Sequence, residues 1–191
     1  MAKNWWQNLR GRVCLDEPLK NWTTFKIGGR ARFFIEPKDA EDLKKLLVSV
    51  KGVLPVLVLG AGSNVLVHDQ GVDAVVIKLS SDFFNAVTIK GDLVQAHSGL
   101  SIARLIQVAA SGGLSGFEFL AGIPGTLGGA LVMNAGAWGR CIHELVEEVT
   151  VMDYDGKISV LDKDKIIFSY RHSNLENYII LSADLRLVKK I

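Results

Sequence analysis

The sequence predicts a mixed fold of the α+β class, built from two small α/β subdomains. Three observations predict it. Short β-branched runs alternate with an amphipathic helix in the first 80 residues. Two alternating runs then fold back on themselves at Gly91-Asp92 and at Asp155-Gly156, as hairpins do. No repeat, low-complexity tract or long linker interrupts the 191 residues, a length that supports one core or two small lobes.

In chain order, residues 1–20 read as an irregular or partly helical lead-in, with Trp5 and Trp6 packing on the body. After a turn at Gly28-Gly29, residues 31–37 (ARFFIEP) form a strand stopped by Pro37. Residues 39–50 form a helix, with acidic residues first and Leu43, Leu46, Leu47 and Val50 on one face. Residues 55–60 (PVLVLG) read as a buried strand and residues 73–79 (DAVVIKL) as another. Residues 85–99 then supply the first hairpin, and residues 100–111 a helix stopped by Gly112-Gly113. Residues 146–166 supply the second hairpin, and residues 177–188 a last strand. The resulting division is 1–20, a first subdomain at 21–80 and a second at 81–191.

Composition excludes some functions. Lys and Arg total 22 against 20 Asp and Glu, a net charge of +2, which argues against a dedicated nucleic-acid binder. Cys14 and Cys141 cannot build a disulfide scaffold. The four histidines lack metal-ligand spacing, so no metal is expected. The chain opens without a signal-type apolar run, and glycines and Pro124 break its longest uncharged stretch. A cytoplasmic protein with no membrane partner is the expectation.

One local feature stands out. Residues 105–139 hold a single charge, Glu118, and nine of the 19 glycines. At the chain's average, about eight charges belong there. Such a segment suits close approach of backbone to a flat or phosphorylated ligand, with Asn134 fixing its orientation. A helical hairpin packed through small residues would look similar. Pro124 is placed to open a short helix, with the N–H groups of Gly125, Thr126 and Leu127 turned outward. Glu118 is read as a cap on backbone N–H groups.

Two shorter motifs accompany it. The turn LGAGSNVLV (59–67) offers successive N–H groups as an anion-binding nest suited to a pyrophosphate, or it is a plain connection between strands. It is neither a dinucleotide fingerprint nor a Walker A loop. In FSYRHS (168–173), Arg171 is placed either to clamp a carboxylate or to make a surface ion pair.

Taken together, NWTTFKIGGRARFF, LGAGSNVLV, GFEFLAGIPGTLGGALVMNAGAWG and SYRHS, in this order, resemble the UDP-N-acetylenolpyruvoylglucosamine reductase family over about residues 21–188. The resemblance implies an FAD-binding domain of the vanillyl-alcohol-oxidase (PCMH) type, with FAD extended between two subdomains. It implies NADPH as hydride donor and UDP-N-acetylglucosamine enolpyruvate as substrate, in peptidoglycan precursor synthesis.

The resemblance also implies residue roles. Gly60, Ala61, Gly62, Ser63, Asn64, Val65 and Leu66 would surround the FAD pyrophosphate. Gly122, Ile123, Pro124, Gly125, Thr126, Gly128 and Gly129 would line the rest, with Asn134, Ala135, Gly136 and Ile180. Arg171 would be catalytic, steadying negative charge on the substrate, with Tyr170 beside it. Two departures matter. Trp138 stands where the family usually has tyrosine. No sequence follows Ile191 to carry the family's proton-donating serine and glutamate, so the C-terminal substrate-binding domain is expected to be absent. This chain by itself is expected to bind FAD and to be inactive or impaired. The FAD-binding module of another oxidase, or a remnant without activity, are the competing expectations.

Overall fold

The computed structural model describes residues 4–190. Its first sheet has four strands: β1 (Arg12–Pro18), β2 (Arg30–Glu36), β3 (Val56–Val58) and β4 (Val72–Ile77). Their order is β1-β2-β4-β3. β1 runs antiparallel to β2, while β2, β4 and β3 are parallel. Helix α1 (Ala40–Val50) connects β2 to β3. The second sheet is antiparallel throughout, with β5 (Val87–Lys90), β6 (Leu93–His97), β7 (Val146–Met152), β8 (Ile158–Asp162) and β9 (Ile179–Arg186) ordered β8-β7-β9-β6-β5. Helices α2 (Ile102–Ser111) and α3 (Leu127–Val132) supply part of its packed core.

Local chemistry explains these elements. Asp39 caps α1 by accepting from the Asp42 N–H at 3.0 Å, and Glu41 and Asp42 sit in its positive first turn. Its buried stripe is Leu43, Leu46, Leu47 and Val50, the spacing that one face of a helix requires. Ser101 caps α2 through the Arg104 N–H. Gly91 and Gly156 take left-handed φ angles at the two hairpin turns, as tight hairpins demand.

Two expectations need correction. Residues 12–18 of the supposed lead-in form β1, which pairs with β2 from Arg12 opposite Glu36 to Pro18 opposite Arg30. Polar residues interrupt its alternation, so the pattern is weak where pairing with a neighbour decides. Trp5 and Trp6 do pack on the body, 5.2 and 5.1 Å from the Phe33 ring. The strand expected at 55–60 is short and not buried: Leu57 and Val58 are 47% and 44% exposed. β3 is an edge strand, and it faces a cleft rather than a core.

The core ties the two sheets together. α1 and β2 share one cluster with Phe84, with Met152 at the end of β7, and with Ile179 and Leu181 in β9. The smaller core is therefore not confined to residues 21–80. A larger cluster, with Leu105, Leu127, Leu131, Val149 and Leu185, fills the second sheet's own interior.

A buried carboxylate ties the chain before β1 to the start of α1. Asp42 accepts from the N–H groups of Arg10, Gly11 and Lys38 at 2.8, 2.8 and 3.0 Å, and it is fully buried. Burial alone would raise its pKa, but the three N–H donors and the Arg10 charge outweigh that and hold it below the usual carboxylate range. A lowered folded-state pKa contributes stability that is complete above the ordinary aspartate value and lost as pH falls through the lower one. Asp42→Asn should cost about 2 kcal/mol at neutral pH. It should also flatten the fall in denaturation midpoint between about pH 5 and pH 2, as measured by urea denaturation at several pH values.

Candidate functional site

A cleft of about 870 Å³ lies between the two sheets, within the range of sites that engulf a sizeable organic ligand. One wall is β3, the turn at residues 59–65 and the end of β4. The facing wall is the glycine-rich segment at 123–137, with Ser98 and Gly99 from the end of β6 and Ile179 and Ile180 from β9.

The turn at 60–64 is fixed from three sides. Gly62 has φ +70°, and a Cβ there would lie 2.0 Å from the Trp22 carbonyl oxygen. Glycine is required. The Gly62 carbonyl accepts from the Thr24 N–H at 2.9 Å, and the Gly60 carbonyl accepts from Lys78 Nζ at 2.7 Å. The Ser63 hydroxyl donates to the Pro124 carbonyl at 2.9 Å, bridging the cleft walls.

The glycine-rich segment folds differently from its expectation. Thr126, not Pro124, precedes the short helix, and its hydroxyl accepts from the Gly129 N–H. The N–H groups of Leu127 and Gly128 donate to the carbonyls of Leu100 and Ser98, both at 2.8 Å. The first turn of α3 is thus tied to the end of β6, and Leu127 does not turn its N–H outward. Gly125 leaves room on the cleft wall: a Cβ built there meets no atom within 4 Å.

Most of the expected site residues come together on these walls: Gly60 to Val65, Ile123 to Thr126, Gly128, Gly129, Ala135, Gly136, Arg171 and Ile180. Four do not. Leu66 is 75% exposed and Gly122 is exposed, and neither faces the cleft. Asn134 is buried off the wall, with both ends of its amide engaged: Nδ2 donates to the Ser169 carbonyl at 2.9 Å, and Oδ1 faces the His143 ring nitrogen at 3.1 Å. It anchors the hairpin at 168–173 instead of reaching a ligand. Tyr170, at that hairpin's tip, is 86% exposed and lies 5.2 Å from the Arg171 guanidinium.

Arg171 itself holds a left-handed φ of +56°, a conformation that disfavours arginine and favours glycine. Ser173 fastens the hairpin by donating to the Leu131 and Val132 carbonyls. Glu118 works as a cap: it accepts from the Ser115 hydroxyl and the Gly116 N–H, which hold its carboxyl below its ordinary range.

Sequence reasoning missed Lys78, Ser98, Tyr154, Glu176 and Tyr178, which also line the cleft. They come from separate elements, and no local motif joins them. Lys78 alone left a trace, as a single charge closing the apolar strand DAVVI.

A family model described as "FAD binding domain" matches residues 31–162. UDP-N-acetylenolpyruvoylglucosamine reductase of Rickettsia conorii is 40% identical over 182 residues, covering 95% of this chain and 61% of the relative. The protein of the same name from Clostridioides difficile is 43% identical over 178 residues, covering 92% and 58%. The chain thus spans about three-fifths of these relatives' length. Among solved structures, UDP-N-acetylenolpyruvylglucosamine reductase from Thermus caldophilus superposes with a TM-score of 0.81 at 35% identity, over 96% of this chain and 64% of that one. 6-Hydroxy-D-nicotine oxidase from Arthrobacter nicotinovorans superposes at 0.72 with 17% identity, over 99% and 44%, and shares the fold. The expected α+β architecture of vanillyl-alcohol-oxidase type is borne out.

The two cleft glycines should separate in a stability assay. Gly62→Ala meets backbone at φ +70° and should lose about 2–3 kcal/mol. Gly125→Ala projects into open space and should melt within about 2 °C of the parent. Thermal denaturation of both variants checks this.

Proposed function

Because the chain belongs to the FAD-binding domain family, we propose that this cleft holds FAD and that the chain is the FAD-binding part of a UDP-N-acetylenolpyruvoylglucosamine reductase. The observation that carries the proposal is the cradle at Gly125, where a side chain would occupy the ligand's space. The rest of the cleft fits the same cofactor. Leu57 and Val58 expose aliphatic surface on its wall, which a flat aromatic ligand would cover. Ser98 Oγ is buried with no hydrogen-bond partner among the described residues, a cost that a polar ligand atom removes after rotation about its χ1.

In this reading the turn at 60–65 and the segment at 123–136 bind the dinucleotide from opposite sides, with Ile180 beneath it. The chemistry that FAD supplies when bound is hydride transfer, here from NADPH to the enolpyruvyl double bond of UDP-N-acetylglucosamine enolpyruvate. Arg171 is positioned for the substrate half of that reaction. Its hairpin is fastened by Asn134 and Ser173, so the backbone that carries Arg171 is fixed at the cleft edge. A fixed cation there steadies the negative charge that grows beside the substrate carboxylate. Tyr170 lies beside Arg171, its ring centre 5.2 Å from the guanidinium. The product belongs to peptidoglycan precursor synthesis, and the corresponding location is the cytoplasm. No helix among the described residues is long and apolar enough to cross a membrane.

Titration with FAD, followed by quenching of flavin fluorescence, tests the proposal. The protein should bind FAD, and Gly125→Val should lose at least about tenfold in affinity while melting like the parent. A folded protein that neither purifies with flavin nor binds added FAD contradicts it. In a full-length reductase that contains this part, turned over with NADPH and the enolpyruvyl substrate, Arg171→Ala should slow substrate reduction about 10²- to 10³-fold and leave the Kd for FAD within about twofold. Stopped-flow traces of flavin absorbance separate the two effects.

A further inference from the structure

Lys78 follows β4 and reaches the cleft wall behind the turn at 60–64. It is half-buried, and its Nζ has two neighbours of note. It donates to the Gly60 carbonyl at 2.7 Å, and it lies 5.5 Å from the centre of the Trp22 ring. Trp22 is itself immobilised, stacked on Phe34 at 4.5 Å with its indole N–H donating to Glu17. The ammonium is therefore held in place beside the turn.

What this group lacks is an anion. Among the described residues, no carboxylate lies within 4.0 Å of Lys78. The carboxylate of Glu36 acts on it from further off, but Glu36 already accepts from the Arg12 guanidinium and the Ser80 hydroxyl. Burial pushes the Lys78 pKa down, against the smaller pull of Glu36. A carbonyl and a ring face compensate an ammonium only in part, so the site is one anionic group short. Lys78 and Arg171 are the two cations on the cleft wall, and Lys78 is the one beside the turn whose backbone suits a diphosphate.

The geometry points to Lys78 as the cation that neutralises the diphosphate of a bound dinucleotide. This deepens the FAD reading and rests on it. The turn supplies shape through its backbone, and Lys78 supplies charge, drawn to its rim by the Gly60 carbonyl. A ligand with a diphosphate gains from both, whereas a flavin without phosphate gains from neither.

The test compares the parent, Lys78→Gln and Lys78→Arg in titrations with FAD and with riboflavin, at about 0.02 M and about 0.5 M salt. Lys78→Gln keeps a donor and removes the charge. It should weaken FAD about tenfold or more at low salt. It should also lose most of the salt dependence that the parent shows, because the screened charge is gone. Lys78→Arg should retain both, and riboflavin binding should change less than about twofold. Circular dichroism and melting temperature establish that each variant is folded. If Lys78→Gln binds FAD like the parent, or keeps the parent's full salt dependence, the inference is overturned. If it is weakened equally for FAD and riboflavin, Lys78 merely props the turn, and the inference is again overturned. Failure of the parent to bind FAD at all would instead overturn the reading beneath it.

Discussion

Two backbone segments 61 residues apart meet at one hydrogen bond, with Gly60 packed against the Thr126 side chain nearby, and part beyond. They touch where the Ser63 hydroxyl donates to the Pro124 carbonyl. Beyond that bridge, glycines keep side chains out of the space between them. The cleft is the consequence. Gly62 lets the turn rest against the Trp22 carbonyl, and Lys78 pulls the Gly60 carbonyl back from the opening. On the other side, the Leu127 and Gly128 N–H groups are committed to β6's outgoing chain. Both rims are preorganised, which reduces the ordering that a ligand would otherwise have to impose.

The shared core keeps those rims in register. α1 is buried against β2 and β4 and also against Met152, Ile179 and Leu181 from the second sheet. A close-packed interior has low compressibility, so a displacement of one element is resisted by, and passed to, its neighbours. Ile180 faces the cleft from the same strand whose neighbours Ile179 and Leu181 enter that core. The strand alternation therefore sends Ile179 and Leu181 into the core that joins the sheets and Ile180 into the second sheet's own core, with Ile179 and Ile180 both bordering the cleft. The Asp42 carboxylate, accepting from three backbone N–H groups, fastens the chain before β1 to the start of α1, the helix that joins the two sheets.

Much of this was legible in the sequence. Helices with a complete polar-to-apolar period, such as α1 and α2, stand where Asp39 and Ser101 cap them. Both hairpins turn at the expected glycines. Of the depleted window at 105–139, only the part from 123 to 137 lies along the cleft; Leu105, Ala109, Leu114, Phe117, Phe119 and Leu120 pack in the second sheet's core. What was illegible depends on neighbours in space. β1 exists because β2 offers an edge to pair with. β3 is apolar because it faces a cleft, a pattern indistinguishable in sequence from burial in a core. Asn134 is polar in an apolar window for an internal reason, to bind Ser169 and His143, and spacing cannot separate that from contact with a ligand. Lys78 acquires meaning only when β4 delivers it behind the turn.

The account's central claim is that both rims close on one ligand. Backbone hydrogen exchange, measured with and without FAD, tests it most directly. The account predicts that amides at 60–65 and at 123–129 slow together when FAD is added, while those of β8, far along the second sheet, do not change. Protection of one rim alone, or of neither in a protein shown to bind FAD, would contradict it.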